Sequence, residues 1–176
     1  LTPFEPHLIQ GNKMESSITE DEVENQAAIA LYLIEEMKAD VYYIVGPGTT
    51  TRTIADLLDQ KKTLLGVDVF LDKKVVKKDV NATQIMELIA DKPAHIIVTP
   101  IGGQGFIFGR GNQQISSEVI RKVGLSNITV IATKSKIDRL NCLRVDTGDS
   151  ELDNLLRENG LRVITDYKTM QKMIIE

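Results

Sequence analysis

The sequence predicts an α/β fold: a mainly parallel sheet with helices on both faces, three layers in all, and glycine-rich phosphate loops at strand C-terminal ends. Three observations carry that prediction. Short apolar runs at 41–45, 96–99 and 128–132 read as strands buried on both faces. Stretches of helical period separate them. Glycine clusters follow two of the runs directly, at 46–48 and 102–111.

Taken in order, Thr19-Glu20-Asp21-Glu22 has the form of a capping box and predicts a helix near 20–38 with Val23, Ala27, Ala30, Leu31 and Ile34 on its apolar face. The run at 41–45 ends in Gly46-Pro47-Gly48, and helical spacing resumes at 50–58 through Ile54, Leu57 and Leu58. Residues 64–70 read as a strand, turned by Asp72-Lys73-Lys74 into a hairpin with 75–78. Asn81 is expected to cap a helix at 82–90, and Ser116 or Ser117 one at 118–123. A helix at 151–159 and strands at 162–165 and 173–175 complete the prediction. The expected organisation is an irregular segment or linker at 1–18 and one nucleotide- or phosphate-binding domain at 19–176. The start at Leu1 and the weak periodicity of 1–17 read as part of something longer.

With 176 residues, 42% hydrophobic and 26% charged, the chain can bury a sizeable core. Its net charge of −4 argues against nucleic acid as the main partner. A single cysteine, Cys142, cannot form an intrachain disulfide, which points to a cytoplasmic home. Apolar runs are too short to span a membrane, so no membrane partner is expected. The expected partners are a small nucleotide or phosphorylated metabolite, and a second copy of the chain as a homo-oligomer. With His7 and His95 the only histidines, no metal-ligand spacing exists; His95 and Cys142 read as structural.

In an open parallel sheet, ligands bind beyond the carboxyl ends of the strands, and three special segments fall there. In the first, Gly46 and Gly48 let backbone approach an anion, while Thr49, Thr50, Thr51 and Arg52 supply donors at a helix start. It lacks the Lys-Ser/Thr ending of a P-loop. The second holds five of the chain's twelve glycines within ten residues. Here Gly102, Gly103, Gly105 and Gly109 would admit a ligand, Gln104, Arg110, Asn112 and Gln113 would donate to it, and Phe106 or Phe108 would stack on a ring. The third, 133–136, offers Lys134 and Lys136, for which a solvated surface role is the simpler expectation. Asp68, a carboxylate inside an expected strand, is the candidate catalytic base; Asp146 is a second acidic candidate, and Asp149 reads as a helix cap.

The strings Tyr43–Thr51 (YIVGPGTTT), 63–69 (TLLGVDV), 78–82 (KDVNA), 98–116 (VTPIGGQGFIFGRGNQQIS), 130–136 (VIATKSK) and 143–149 (LRVDTGD) resemble the C-terminal part of the ATP-NAD kinase family related to acetoin-catabolism protein X, over about residues 20–167. The resemblance implies ATP and NAD as ligands, possible use of Mg, and phosphorylation of NAD by the full-length protein. In that family a Gly-Gly-Asp-Gly motif of an N-terminal domain carries the catalytic aspartate. The nearest string here is Gly102-Gly103-Gln104-Gly105, and a glutamine cannot act as that base. The fragment alone is therefore expected to be inactive. Two other readings stand beside it. One is a phosphosugar isomerase or deaminase-like domain, with 46–51 as the phosphate loop and Asp68 as the base. The other is a non-catalytic nucleotide sensor.

Overall fold

The structure, a computed structural model, describes residues 19–176; the expectation for 1–18 lies outside the described residues. The chain order is α1 (Glu20–Glu36), β1 (Tyr42–Val45), α2 (Thr49–Leu57), β2 (Asp68–Leu71), β3 (Lys74–Lys77), α3 (Ala82–Leu88), β4 (Ala94–Val98) and β5 (Phe106–Phe108). There follow α4 (Ser117–Val123), β6 (Ile128–Ile131), α5 (Lys134–Asp138), β7 (Arg144–Val145), α6 (Ser150–Asn159), β8 (Leu161–Asp166) and β9 (Thr169–Met173).

Seven strands form one sheet in the order β3-β2-β1-β4-β6-β8-β9. The four central strands, β1, β4, β6 and β8, are parallel, and an antiparallel hairpin closes each edge. Alternation along the strands divides the core in two. Ile44, Ile96, Val98, Val130 and Val163 face α3, α4 and α6, where Ile85, Ile120 and Leu156 meet them. Tyr43, Val45, Ile97, Ile131 and Ile164 face α1 and α2, through Ile29, Leu33 and Ile54. The molecule is therefore a three-layer α/β structure with a mainly parallel sheet.

Several boundaries differ from expectation. The second strand begins at Asp68, not at residue 64. Leu64 and Leu65 stand exposed in the preceding loop, and the Leu64 carbonyl accepts from the Gly48 amide at the start of α2 and not from a neighbouring strand. The last strand is Thr169–Met173, not 173–175; lying at the sheet edge with an exposed face, it shows no apolar alternation to read. Within the glycine-rich segment, Phe106–Phe108 is a strand paired in parallel with Arg144–Val145, a long-range pairing that no local pattern announces. The capping box at Thr19 is half made: the Thr19 hydroxyl accepts from the Glu22 amide, but the Glu22 carboxylate turns elsewhere.

Candidate functional site

The chain leaves β1 toward β2 on one side and returns to β4 on the other, so the strand order reverses between β1 and β4. A crevice opens at such a point beyond the strand carboxyl ends. Here it is a cleft of about 630 Å³ lined by Gly48, Thr49 and Thr50, by Thr99 to Gly102, and by Thr133, Lys136 and Arg139. Glu22, Gln26, Pro47, Leu64, Leu65 and Gly111 complete its walls. The structure thus brings all three segments singled out from sequence to one place.

One wall is the start of α2. Gly48 is its N-cap residue, at φ +130°, and supplies no side-chain cap. A Cβ there would stand 2.6 Å from Thr99 Cγ2, so β4 and the α2 turn approach too closely for any other residue. No side chain caps the first helical N–H groups of α2, and Gly48, Thr49 and Thr50 line the cleft; an uncapped helix start is the electrostatic arrangement that attracts anions. Gln26, buried on α1, reaches the hydroxyls of Thr49 and Thr50 at 3.4 Å each. Thr51 works inward: its hydroxyl donates to the carbonyl of Gly46 at 2.8 Å and also lies 3.1 Å from that of Gly48, fixing the turn. Gly46 backs the turn, donating its N–H to Ile97 at 2.9 Å. Arg52 does not line the cleft; it lies near Asp56, whose carboxyl burial pushes up against the pull of that guanidinium.

The opposite wall carries charge. Lys136 Nζ donates to the Gly102 carbonyl at 3.1 Å. Burial holds its ammonium below the usual lysine value, with neighbouring Arg139 pushing the same way and Glu22 opposing. Glu22 accepts from Thr133 Oγ1 at 2.7 Å and from Ser135 Oγ at 2.6 Å, tying the start of α1 to α5 across the cleft. Lys134 is drawn away by Asp166, at 2.7 Å.

The glycine-rich segment divides between cleft and scaffold. Gly102 and Gly111 line the cleft, and Gly103 faces open space. Gln104 and Gly105 give their carbonyls to the Arg144 side chain at 3.1 Å and the Arg144 amide at 2.8 Å. Asn112 is fully buried as a staple: Nδ2 donates to Ile107 at 2.8 Å and Oδ1 accepts from the Gly109 amide at 3.2 Å. Arg110 covers the Phe106 ring at 4.4 Å and pairs with Asp146 at 3.7 Å. Phe108 lies in the core, so of the two aromatics expected to stack on a ligand, one is structural and the other is covered by arginine.

Asp68 is fully buried and does not line the cleft. It accepts from the Thr63 amide at 2.7 Å, the Thr63 hydroxyl at 2.9 Å and the Asp79 amide at 2.7 Å, with Lys62 Nζ 3.4 Å away. Asp149 caps α6 through the Leu152 amide at 3.1 Å and meets Arg121 at 2.9 Å; both hold its carboxyl below the usual value. His95 pairs with Thr129 Oγ1 at 2.7 Å, and Cys142 is buried and free. Among the described residues, no group of three or more His, Cys, Asp or Glu could hold a metal ion, and no helix is long and apolar enough to cross a membrane.

Sequence reasoning missed Glu22, Gln26, Arg139 and the Leu64-Leu65 lip. Gln26 left a signal, a polar residue on the otherwise apolar face of α1. A family model describing the ATP-NAD kinase C-terminal domain matches residues 38–173, which covers the whole sheet and every cleft residue except Glu22 and Gln26. No curated protein matches the chain, and no solved structure does.

Proposed function

From the premise that this chain belongs to the ATP-NAD kinase C-terminal domain family, we propose that its cleft binds the phosphates and sugar of a nucleotide, and that the full-length protein phosphorylates NAD or a related nucleotide with ATP. The observation that carries this reading is the uncapped start of α2, opening at the strand reversal point opposite Lys136 and Arg139. Phosphoryl transfer depends on positioning and charge neutralisation more than on covalent chemistry. The role of this part is to hold, and that of a domain bearing the Gly-Gly-Asp-Gly motif is to supply the base. Magnesium, where used, would arrive with the phosphates of ATP. The work belongs to the cytoplasm, and the fragment alone is a binding module.

A phosphosugar isomerase would need Asp68 as a free base. Its oxygens are engaged in the core and turned away from the cleft, so the geometry favours the nucleotide. The direct test is calorimetric titration of the chain with NAD, NADP, ATP and ribose 5-phosphate, followed by an assay of the full-length protein for ATP-dependent NADP formation. Binding of ribose 5-phosphate in preference to every nucleotide would overturn the reading.

Two variants probe the cradle. Gly48→Ala places a Cβ against Thr99 at a backbone angle that alanine adopts only under strain of about 1–3 kcal/mol, so nucleotide affinity should fall at least roughly tenfold. Lys136→Ala removes a charged donor and should also cost roughly tenfold in Kd. Because the Lys136 ammonium is held below the ordinary 10.5, affinity should decline with rising pH earlier than a free lysine would cause. Lys136→Arg, charged throughout, should flatten that decline. A pH series of titrations on both proteins checks the sign.

A further inference from the structure

We infer that Leu64 and Leu65 form an apolar platform for the flat ring of the bound nucleotide, and that the buried Lys62–Asp68 pair holds this platform in place; the inference rests on the cleft being a nucleotide site. Leu64 is 42% exposed and Leu65 79%, two adjacent leucines on the rim of the cleft beside Pro47, Pro100 and Ile101. A phosphate or a bare sugar gains nothing from such a rim. A purine or nicotinamide ring carried beside the phosphates does, because its faces are apolar and its edges hydrogen-bond.

The lip is joined to the cradle. Gly48, at the start of α2, donates its N–H to the Leu64 carbonyl at 3.2 Å, so movement of one displaces the other. The loop carrying the leucines has no helix or strand of its own between α2 and β2. Its shape comes from the buried pair. Asp68 collects the amides of Thr63 and Asp79, and Lys62 Nζ donates to the carbonyls of Gly66 at 2.9 Å and Thr63 at 3.1 Å. Gly66 lets the loop close on itself, since a Cβ there would stand 2.6 Å from both Asp79 Oδ1 and Thr63 Oγ1. Together the pair ties backbone at Thr63 and Gly66 to the Asp79 amide, which marks Lys62 and Asp68 as positioning residues for the leucine platform.

The test is calorimetry on the 176-residue chain with inorganic pyrophosphate, ribose 5-phosphate, ATP and NAD. In Leu64→Ser/Leu65→Ser, ATP and NAD affinities should fall at least tenfold while pyrophosphate affinity stays within twofold. Lys62→Met/Asp68→Leu, whose folding is verified by its melting transition, should lose affinity for ATP and NAD at least fivefold more than for pyrophosphate. Asp68→Asn, which keeps one acceptor oxygen where the Thr63 and Asp79 amides each use a separate one, should recover part of that selectivity. Unchanged ATP and NAD affinity in the leucine variant overturns the platform, as does a change confined to its sedimentation, which would make the leucines a protein contact. A parent chain that binds pyrophosphate as tightly as nucleotides also overturns the platform but leaves the phosphate cradle standing. A parent that binds none of the four overturns both.

Discussion

Asp68→Ala is expected to destabilise the protein by about 3–5 kcal/mol, the largest effect of any single substitution considered, because it strands a buried charge. The Lys62 and Asp68 side chains are both fully inaccessible. Burial already pulls the Lys62 ammonium below its usual value, with Asp68 the main force opposing it. Without the carboxylate, Lys62 must give up its proton or drag its loop into water. The two cases share a signature. A lysine with a lowered folded pKa binds fewer protons folded than unfolded, so its penalty is full below the folded value and relieved as pH rises toward 10.5. The variant should therefore recover part of its lost stability at alkaline pH relative to the parent, measured by urea unfolding across a pH series. Lys62→Met/Asp68→Leu should return to within about 1–2 kcal/mol of the parent, since replacing both partners leaves no unpaired charge. A single alanine variant as stable as the parent would show that the pair carries no structural weight.

Gly109→Ala is the second large effect, expected at about 3 kcal/mol from backbone strain and displacement together. Gly109 sits at φ +94°, and a Cβ there would collide with the Asp146 carbonyl. That contact lies where β5 meets β7, held by the Asp146 amide on Phe108 at 3.0 Å. Relieving the collision would pull Phe108 out of the core and loosen the Asn112 staple, so the cleft wall at Gly111 should move as well. Gly103→Ala is the matched control. Nothing lies within 4 Å of a Cβ at that position, and its stability should stay within about 0.5 kcal/mol of the parent. Denaturant midpoints of the two variants decide the matter, and equal midpoints would sink it.

The two substitutions locate what could and could not be read from the chain. The central strands were legible because each is a short apolar run between helices, and burial on both faces demands that composition. The turn at 46–51 was legible because glycine and threonine mark a strand-to-helix junction, and it does line the cleft through Gly48, Thr49 and Thr50. The outer strand Thr169–Met173 was not, since a solvent-facing edge imposes no hydrophobic period. Leu64 and Leu65 read as sheet from sequence yet stand exposed, because an apolar pair says only that the residues avoid water, not what will cover them. From their polarity Asn112 reads as a ligand donor and Asp68 as a catalytic base. Only their partners, five residues away for Ile107 and eleven for Asp79, show that both satisfy buried backbone.

Sequence alone thus determined the α/β class, the family and the glycine-threonine turn at 46–51, because each depends on local pattern and backbone permission. Tertiary structure decided which glycines meet open space and which meet a carbonyl. It also drew Glu22, Gln26, Lys136 and Arg139 to one cleft and turned Asp68 into the core. Those outcomes depend on long-range packing and on the desolvation of charge, and neither is a property of any short stretch of chain.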